Sequence, residues 1–207
     1  MKLQVAIDRV SKAAAREMIE VLRDSADIIE IGTSLIKDFG LTGSVAALRE
    51  CCGPARLLAD VKTCDEGAYE FERSFEAGAD IVTVMGFSSE ATLQACAETA
   101  RRFGKDYMID LMELDEERVR RVAAAFPDAI LCVHLPSDKN GEGLEERVRR
   151  DLQQFPAGAR VAVAGGVKQA QLPLFRELGV EIVIVGGAIT KAEDMRQAAE
   201  EFAAASI

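Results

Sequence analysis

The chain has 207 residues, 49% of them hydrophobic and 29% charged, the profile of one globular domain with a substantial core rather than of a disordered chain. Its net charge of −10 argues against nucleic acid or an anionic membrane as the main partner, while a locally positive site still leaves room for an anionic small molecule. No apolar run approaches membrane-spanning length, and Met1 to Asp8 is too short and too quickly charged to read as a signal peptide. The five cysteines (Cys51, Cys52, Cys64, Cys96 and Cys132) are odd in number and form no Cys-x-x-Cys pair, so neither a disulfide framework nor a zinc site is suggested, and they read as reduced thiols of a cytoplasmic protein, mostly packing residues.

Short apolar runs alternate with longer helical patterns along the whole chain. Leu3 to Ile7 is the first run, ending at Asp8, and Ser11 is placed to cap a helix reaching Leu22. Ile28 to Ile31 follows, closed by Gly32-Thr33, then a helix over about 41–50 stopped by Gly53-Pro54. The third run, Leu57 to Val61, passes into Lys62-Thr63-Cys64-Asp65, and the next helix runs from Tyr69 to Glu76 before Gly78. Ile81 to Met85 precedes a helix capped by Ser89 and ended by Gly104. Tyr107 to Leu111 carries Asp110 and precedes a charged helix over 115–125. The sixth run, Ala129 to His134, is followed by a charged helix around 145–154. Arg160 to Ala164 ends in Gly165-Gly166, with a short helix over 172–178 after it. Ile182 to Val185 ends in Gly186-Gly187, and an amphipathic helix over 192–205 closes the chain.

Eight strand–helix units without a linker or composition break, with near-continuous apolar strands, predict parallel strands covered on both faces. The fold expected is a single-domain (β/α)8 TIM barrel over residues 1–207, with a doubly wound open sheet as the alternative; no Gly-x-Gly-x-x-Gly follows the first strand. In either fold, ligands meet the C-terminal ends of the strands. Those ends carry Asp8, Glu30, Asp60 with Lys62, Asp110, His134 and the two diglycines, and the opposite ends show no comparable set.

Alternation places Leu58, Asp60 and Lys62 on one face of the third strand, where two ionisable groups are costly in an ordinary core. Two explanations stand: an edge strand with a surface ion pair, or a strand running out of the core into an active site. Glu30 and Asp60, ending adjacent strands, are surface charges or co-ligands of a hard divalent ion such as Mg²⁺. Lys62 has Asp60 and Asp65 close in sequence; anions keep a lysine protonated, so it reads as a fixed cation and not a Schiff-base nucleophile. His134, the only histidine, is a structural residue or a proton carrier. Asp8 and Asp110 are capping residues or members of the site. Gly165-Gly166 and Gly186-Gly187 are tight turns or, after strands seven and eight, a phosphate cradle of converging backbone N–H groups.

Asp60-Val61-Lys62-Thr63-Cys64-Asp65 matches the Asp-x-Lys-x-x-Asp motif of the orotidine 5′-monophosphate decarboxylase suprafamily. Together with Leu3 to Asp8, Glu30 to Thr33, Phe75 to Val84, Val163 to Val167 and Val183 to Thr190, it resembles the 3-hexulose-6-phosphate synthases, with the 3-keto-L-gulonate-6-phosphate decarboxylases as siblings. The resemblance implies a Mg²⁺-dependent barrel enzyme acting on a sugar phosphate through a metal-stabilised enediolate. By matching positions, Glu30 and Asp60 would be metal ligands, Lys62 the electrostatic partner, His134 the proton carrier and the diglycines the phosphate site. Asp65 would reach the neighbouring subunit's site, making a homodimer.

Two positions separate the siblings. The decarboxylases carry an arginine three residues after the histidine, where this chain has Ser137, and Gly-Arg where it has Gly186-Gly187. The synthases in turn read His-Thr-Gly where this chain has His134-Leu135-Pro136. The expectation is condensation of formaldehyde with D-ribulose 5-phosphate; the alternatives are the sibling decarboxylation and a catalytically silent sugar-phosphate-binding protein.

Overall fold

The computed structural model describes residues 1–136 and 143–206. Eight parallel strands close into a barrel in sequence order: β1 (Lys2–Ile7), β2 (Ile28–Ile31), β3 (Arg56–Thr63), β4 (Ile81–Met85), β5 (Asp106–Asp110), β6 (Ile130–His134), β7 (Arg160–Ala164) and β8 (Ile182–Val185), with β8 pairing back onto β1. The barrel expected from the sequence is therefore the fold observed. The strands read as unbroken apolar runs because one set of side chains packs outward against helices and the other fills the barrel.

The register stacks the inward side chains in tiers. Ile28, Ile81, Ile130 and Ile182, one from each even strand, make an aliphatic belt. Above it come Gln4, Leu58, Met108 and Ala162 from the odd strands, then Glu30, Thr83, Cys132 and Ile184, then Ala6, Asp60, Asp110 and Ala164. The interior thus changes from isoleucine to carboxylate toward the C-terminal ends, where alanines on β1 and β7 leave space beside the charges. Leu58 and Asp60 share the inward face as alternation requires. At Lys62 the strand departs from regularity. Leu58 and Ala59 pair with Ile81 and Val82, but the next pairing is Thr63 with Val84, so β3 bulges against β4. Lys62 takes φ +52°, a conformation uncommon outside glycine, with its N–H donating to Thr83 Oγ1 at 2.9 Å.

The sequence showed no comparable set at the opposite ends of the strands, yet the structure brings a group of paired charges together there. Lys2 Nζ lies 3.1 Å from Glu181, Arg160 bridges Glu181 at 3.0 Å and Asp106 at 2.8 Å, and Arg56 reaches Asp106 at 2.7 Å. Lys2, Arg56, Asp106 and Arg160 open their strands and Glu181 immediately precedes β8, and their pairing across the sheet cannot be inferred from a linear pattern that places them beside loops.

The helices are α1 (Lys12–Leu22), α2 (Thr33–Leu41), α3 (Ala47–Arg49), α4 (Gly67–Glu76), α5 (Glu90–Phe103), α6 (Glu116–Ala125), α7 (Leu144–Leu152), α8 (Leu172–Glu177), α9 (Gly187–Thr190) and α10 (Met195–Ser206). Ser11, Ser89 and Asp115 cap α1, α5 and α6 by accepting the backbone N–H groups of Ala14, Thr92 and Arg118. The helix expected over 41–50 is instead α2 followed by a π-turn (Thr42–Ala46), α3 and a 3₁₀ turn (Glu50–Cys52). Gly32 gives α2 no side-chain cap and Gly40, at φ +68°, breaks its last turn, so neither boundary carried a helix signal. No helix among the described residues is long and apolar enough to cross a membrane.

Candidate active site

The C-terminal mouth of the barrel gathers side chains far apart in sequence into one hydrogen-bonded set. Asp60 is held on both oxygens. Thr33 Oγ1 donates to Oδ2 at 2.7 Å, Thr83 Oγ1 donates to Oδ1 at 2.9 Å, and Lys62 Nζ lies 3.1 Å from Oδ1 and 3.0 Å from Oδ2. The Lys62 ammonium also lies 3.2 Å from Asp110 Oδ2. That oxygen is 2.7 Å from His134 Nδ1, and Asp110 Oδ1 accepts the Met112 N–H at 2.9 Å. An ionised carboxylate only accepts, so its partner Nδ1 carries the proton and Nε2 is left as the basic nitrogen. Thr33, Thr83 and the Met112 amide escape sequence reasoning; the available sign was a threonine at an inward position within Ile81 to Met85.

Burial opposes the charge on Lys62, but Asp60, Asp110 and Glu30 outweigh it and hold the ammonium protonated well above its ordinary range. Burial would raise Asp110, yet the hydrogen bond and charge of His134, with Lys62 and the Met112 amide, bring its carboxyl down to about 2. Glu30 goes the other way. Burial first and the Asp60 charge second push its carboxyl up to about 8, against the opposing hydrogen bond from Gln4. Cys132, between these strands, is driven well above its ordinary value by burial and then by Asp110, so its thiol stays neutral and unreactive.

Asp8, Glu30, Asp60 and Asp110 place four carboxylates at the mouth against Lys62 and the imidazole of His134. Lys62 is shared by Asp60 and Asp110, while Glu30's hydrogen-bond partner among the described residues is Gln4. The donors are hard oxygens and the cluster is short of positive charge, which fits Mg²⁺. No cluster of three or more His, Cys, Asp or Glu groups able to hold a metal occurs among the described residues. A Mg²⁺ ion at Glu30 and Asp60 would complete its shell with water and ligand oxygens.

The remaining sequence candidates fall in different places. The Asp8 carboxylate accepts from Ser34 N at 3.2 Å and Ser34 Oγ at 2.8 Å, at the start of α2. It lies so close over Gly32 that a Cβ there would meet it at 2.2 Å. Asp65 is exposed, accepts the next backbone N–H (Glu66) at 2.9 Å, and makes no hydrogen bond or ion pair with the Lys62 cluster among the described residues. Gly165 and Gly166 have φ +98° and +80° and stand beside Gly186-Gly187, since β7 pairs with β8. A Cβ on Gly165 would meet the Leu135 carbonyl oxygen at 2.3 Å, so glycine there is a packing requirement; a Cβ on Gly187 would meet only the Lys191 stem at 3.7 Å. Gly187 opens α9, whose first amides have no acceptor within the helix. The Ser137 comparison lies outside the described residues.

The chain matches the model of the orotidine 5'-phosphate decarboxylase / HUMPS family over residues 1–202. It is 36% identical over 217 residues to the 3-hexulose-6-phosphate synthase of Mycobacterium gastri, covering 99% of each chain. To the 3-hexulose-6-phosphate synthase of Bacillus subtilis (strain 168) it is 34% identical over 206 residues, covering 97% of this chain and 96% of the relative. The crystal structure of 3-hexulose-6-phosphate synthase from Salmonella typhimurium superposes with a TM-score of 0.91 at 34% identity, covering 100% of this chain and 98% of that one.

Proposed function

Because the chain belongs to the orotidine 5'-phosphate decarboxylase / HUMPS family, we propose that it is an aldolase-type lyase that condenses formaldehyde with D-ribulose 5-phosphate to give D-arabino-3-hexulose 6-phosphate. The observation that carries this reading is the unbroken set Asp60–Lys62–Asp110–His134, which couples a fixed cation to an oriented base. Binding a sugar phosphate without chemistry would need neither.

In this reading the phosphate lies at the β7–β8 diglycines, and C1 to C3 of the sugar lie over Ala6 and Ala164, against the charged wall of β2, β3 and β5. His134 Nε2 removes the C1 proton, and Asp110 holds the ring and stabilises the imidazolium. Lys62 sets positive charge beside the oxygen that becomes negative. Mg²⁺ held by Glu30 and Asp60 would supply further positive charge to the substrate oxygens. C1 then forms a bond to the formaldehyde carbon, and the proton on His134 is delivered to the formaldehyde oxygen, so the addition balances with nothing left over. Asp8 caps α2 and in this scheme fixes the loop beside the substrate.

Exposed Asp65, with exposed Tyr69 on α4 and Phe87 after β4, supports assembly as a homodimer in which Asp65 completes the partner's site. The absence of a paired-cysteine framework is in keeping with a cytoplasmic setting. The test is formaldehyde consumption by purified protein with ribulose 5-phosphate and Mg²⁺. CO₂ release from 3-keto-L-gulonate 6-phosphate without formaldehyde consumption would reverse the assignment; Gly187, where the decarboxylases carry arginine, favours the synthase.

A further inference from the structure

Gln4 is the one amide side chain inside the barrel tiers, fully buried one tier below Glu30 and level with Leu58, Met108 and Ala162. Its Nε2 donates to Glu30 Oε2 at 2.5 Å. Its Oε1 is buried with no hydrogen-bond partner among the described residues. An amide with half its hydrogen bonding unmade costs stability, and an apolar side chain of the same length would fill the tier without that cost. What the amide supplies is a neutral donor directed at one oxygen of a buried carboxylate. The amide presents its N–H rather than its carbonyl to Glu30, the arrangement that an ionised, cation-binding carboxylate needs.

We infer that Gln4 is a positioning residue for cation binding: it fixes one oxygen of Glu30 from below, so that the carboxylate presents its other oxygen to a divalent cation at the barrel mouth. This rests on the proposed role of Glu30 as a metal ligand. Outer partners of this kind change metal affinity roughly 10–100-fold when removed. Gln4→Met keeps the length and removes the donor.

The experiment titrates Mn²⁺, as a probe for the Mg²⁺ site, into wild type, Gln4→Met and Glu30→Gln, read by water-proton relaxation, with the melting temperature of each apo protein measured in parallel. The expected result is a Kd for Mn²⁺ about 10–100-fold weaker in Gln4→Met, with a melting temperature equal to or above wild type, and binding abolished in Glu30→Gln. A purely structural glutamine would instead give a lower melting temperature with Mn²⁺ affinity unchanged. If Glu30→Gln abolishes binding and Gln4→Met leaves the Kd unchanged, the role of Gln4 is overturned while that of Glu30 stands. If neither substitution alters binding, the metal assignment falls and the role of Gln4 with it.

Discussion

His134 Nδ1 lies 2.7 Å from Asp110 Oδ2, and Lys62 Nζ lies 3.2 Å from the same oxygen. One atom therefore both selects the histidine tautomer and anchors the fixed cation. Asp110→Asn preserves shape but removes the charge and offers an amide that can pair with either ring tautomer. Solvent exchange of the ribulose 5-phosphate C1 proton, followed by NMR in D₂O without formaldehyde, should slow by roughly 10²–10⁴-fold in Asp110→Asn and in His134→Ala. Exchange at the wild-type rate in either variant would remove the pair from the mechanism.

The second prediction concerns Asp65, exposed and turned toward the next backbone amide rather than toward Lys62. Lys62→Ala and Asp65→Ala proteins should each be inactive alone. Mixed in equal amounts and allowed to exchange subunits, they should recover about a quarter of wild-type sites, since half of the dimers are heterodimers and each of those holds one intact site. No recovery, with heterodimers demonstrated by native mass spectrometry, would place Asp65 outside the partner's site.

Stability against pH provides a third check, and its sign follows from Glu30. Its carboxyl is raised in the folded protein to about 8 from an ordinary value of 4.5. The folded state therefore binds the proton more tightly, so this stabilisation is fully present below 4.5 and is lost as pH rises toward 8. Chelator-treated wild type should melt several degrees lower at pH 8 than at pH 5. Glu30→Gln, which cannot ionise, should flatten that slope and lose Mg²⁺-dependent turnover. An equal slope in both proteins would show that Glu30 does not titrate in this window.

The fourth prediction separates the glycines. Gly165→Ala forces a Cβ to 2.3 Å from the Leu135 carbonyl oxygen at φ +98° and should destabilise the fold by more than about 2 kcal/mol in urea unfolding. Gly187→Ala meets only the Lys191 stem at 3.7 Å and should leave the melting temperature within a few degrees. Its effect should be on KM for the sugar phosphate, raised if the phosphate approaches the start of α9. An unchanged KM would move the phosphate elsewhere.

The barrel was legible because two-sided burial writes each strand as an apolar run, and the turn between units as glycine or a capping residue. The polar strand ends were legible for the same reason: Asp60, Asp110 and His134 interrupt or end those runs. The bulge at Lys62 was hidden, since it depends on how many residues of β4 oppose those of β3, which no single strand records. The grip of Thr33 and Thr83 on Asp60 was hidden too, because threonine is an ordinary strand and helix-start residue until its inward neighbour is known. Helix α2 was lost to its glycines, and the lower ion pairs to their position beside loops.

Asp106 and Asp110 stand four residues apart on β5, facing opposite ends of the barrel with Met108 between them. The lower aspartate is satisfied by Arg56 and Arg160, the upper by Lys62 and His134, and among the described residues no partner is common to both. The molecule therefore has a keel and a deck that can be rebuilt separately. Substitutions at the mouth leave the isoleucine belt and the lower charges untouched, so a directed-evolution library confined to the upper-tier side chains, with Gly165 held as glycine, can vary the mouth without disturbing the layers beneath it.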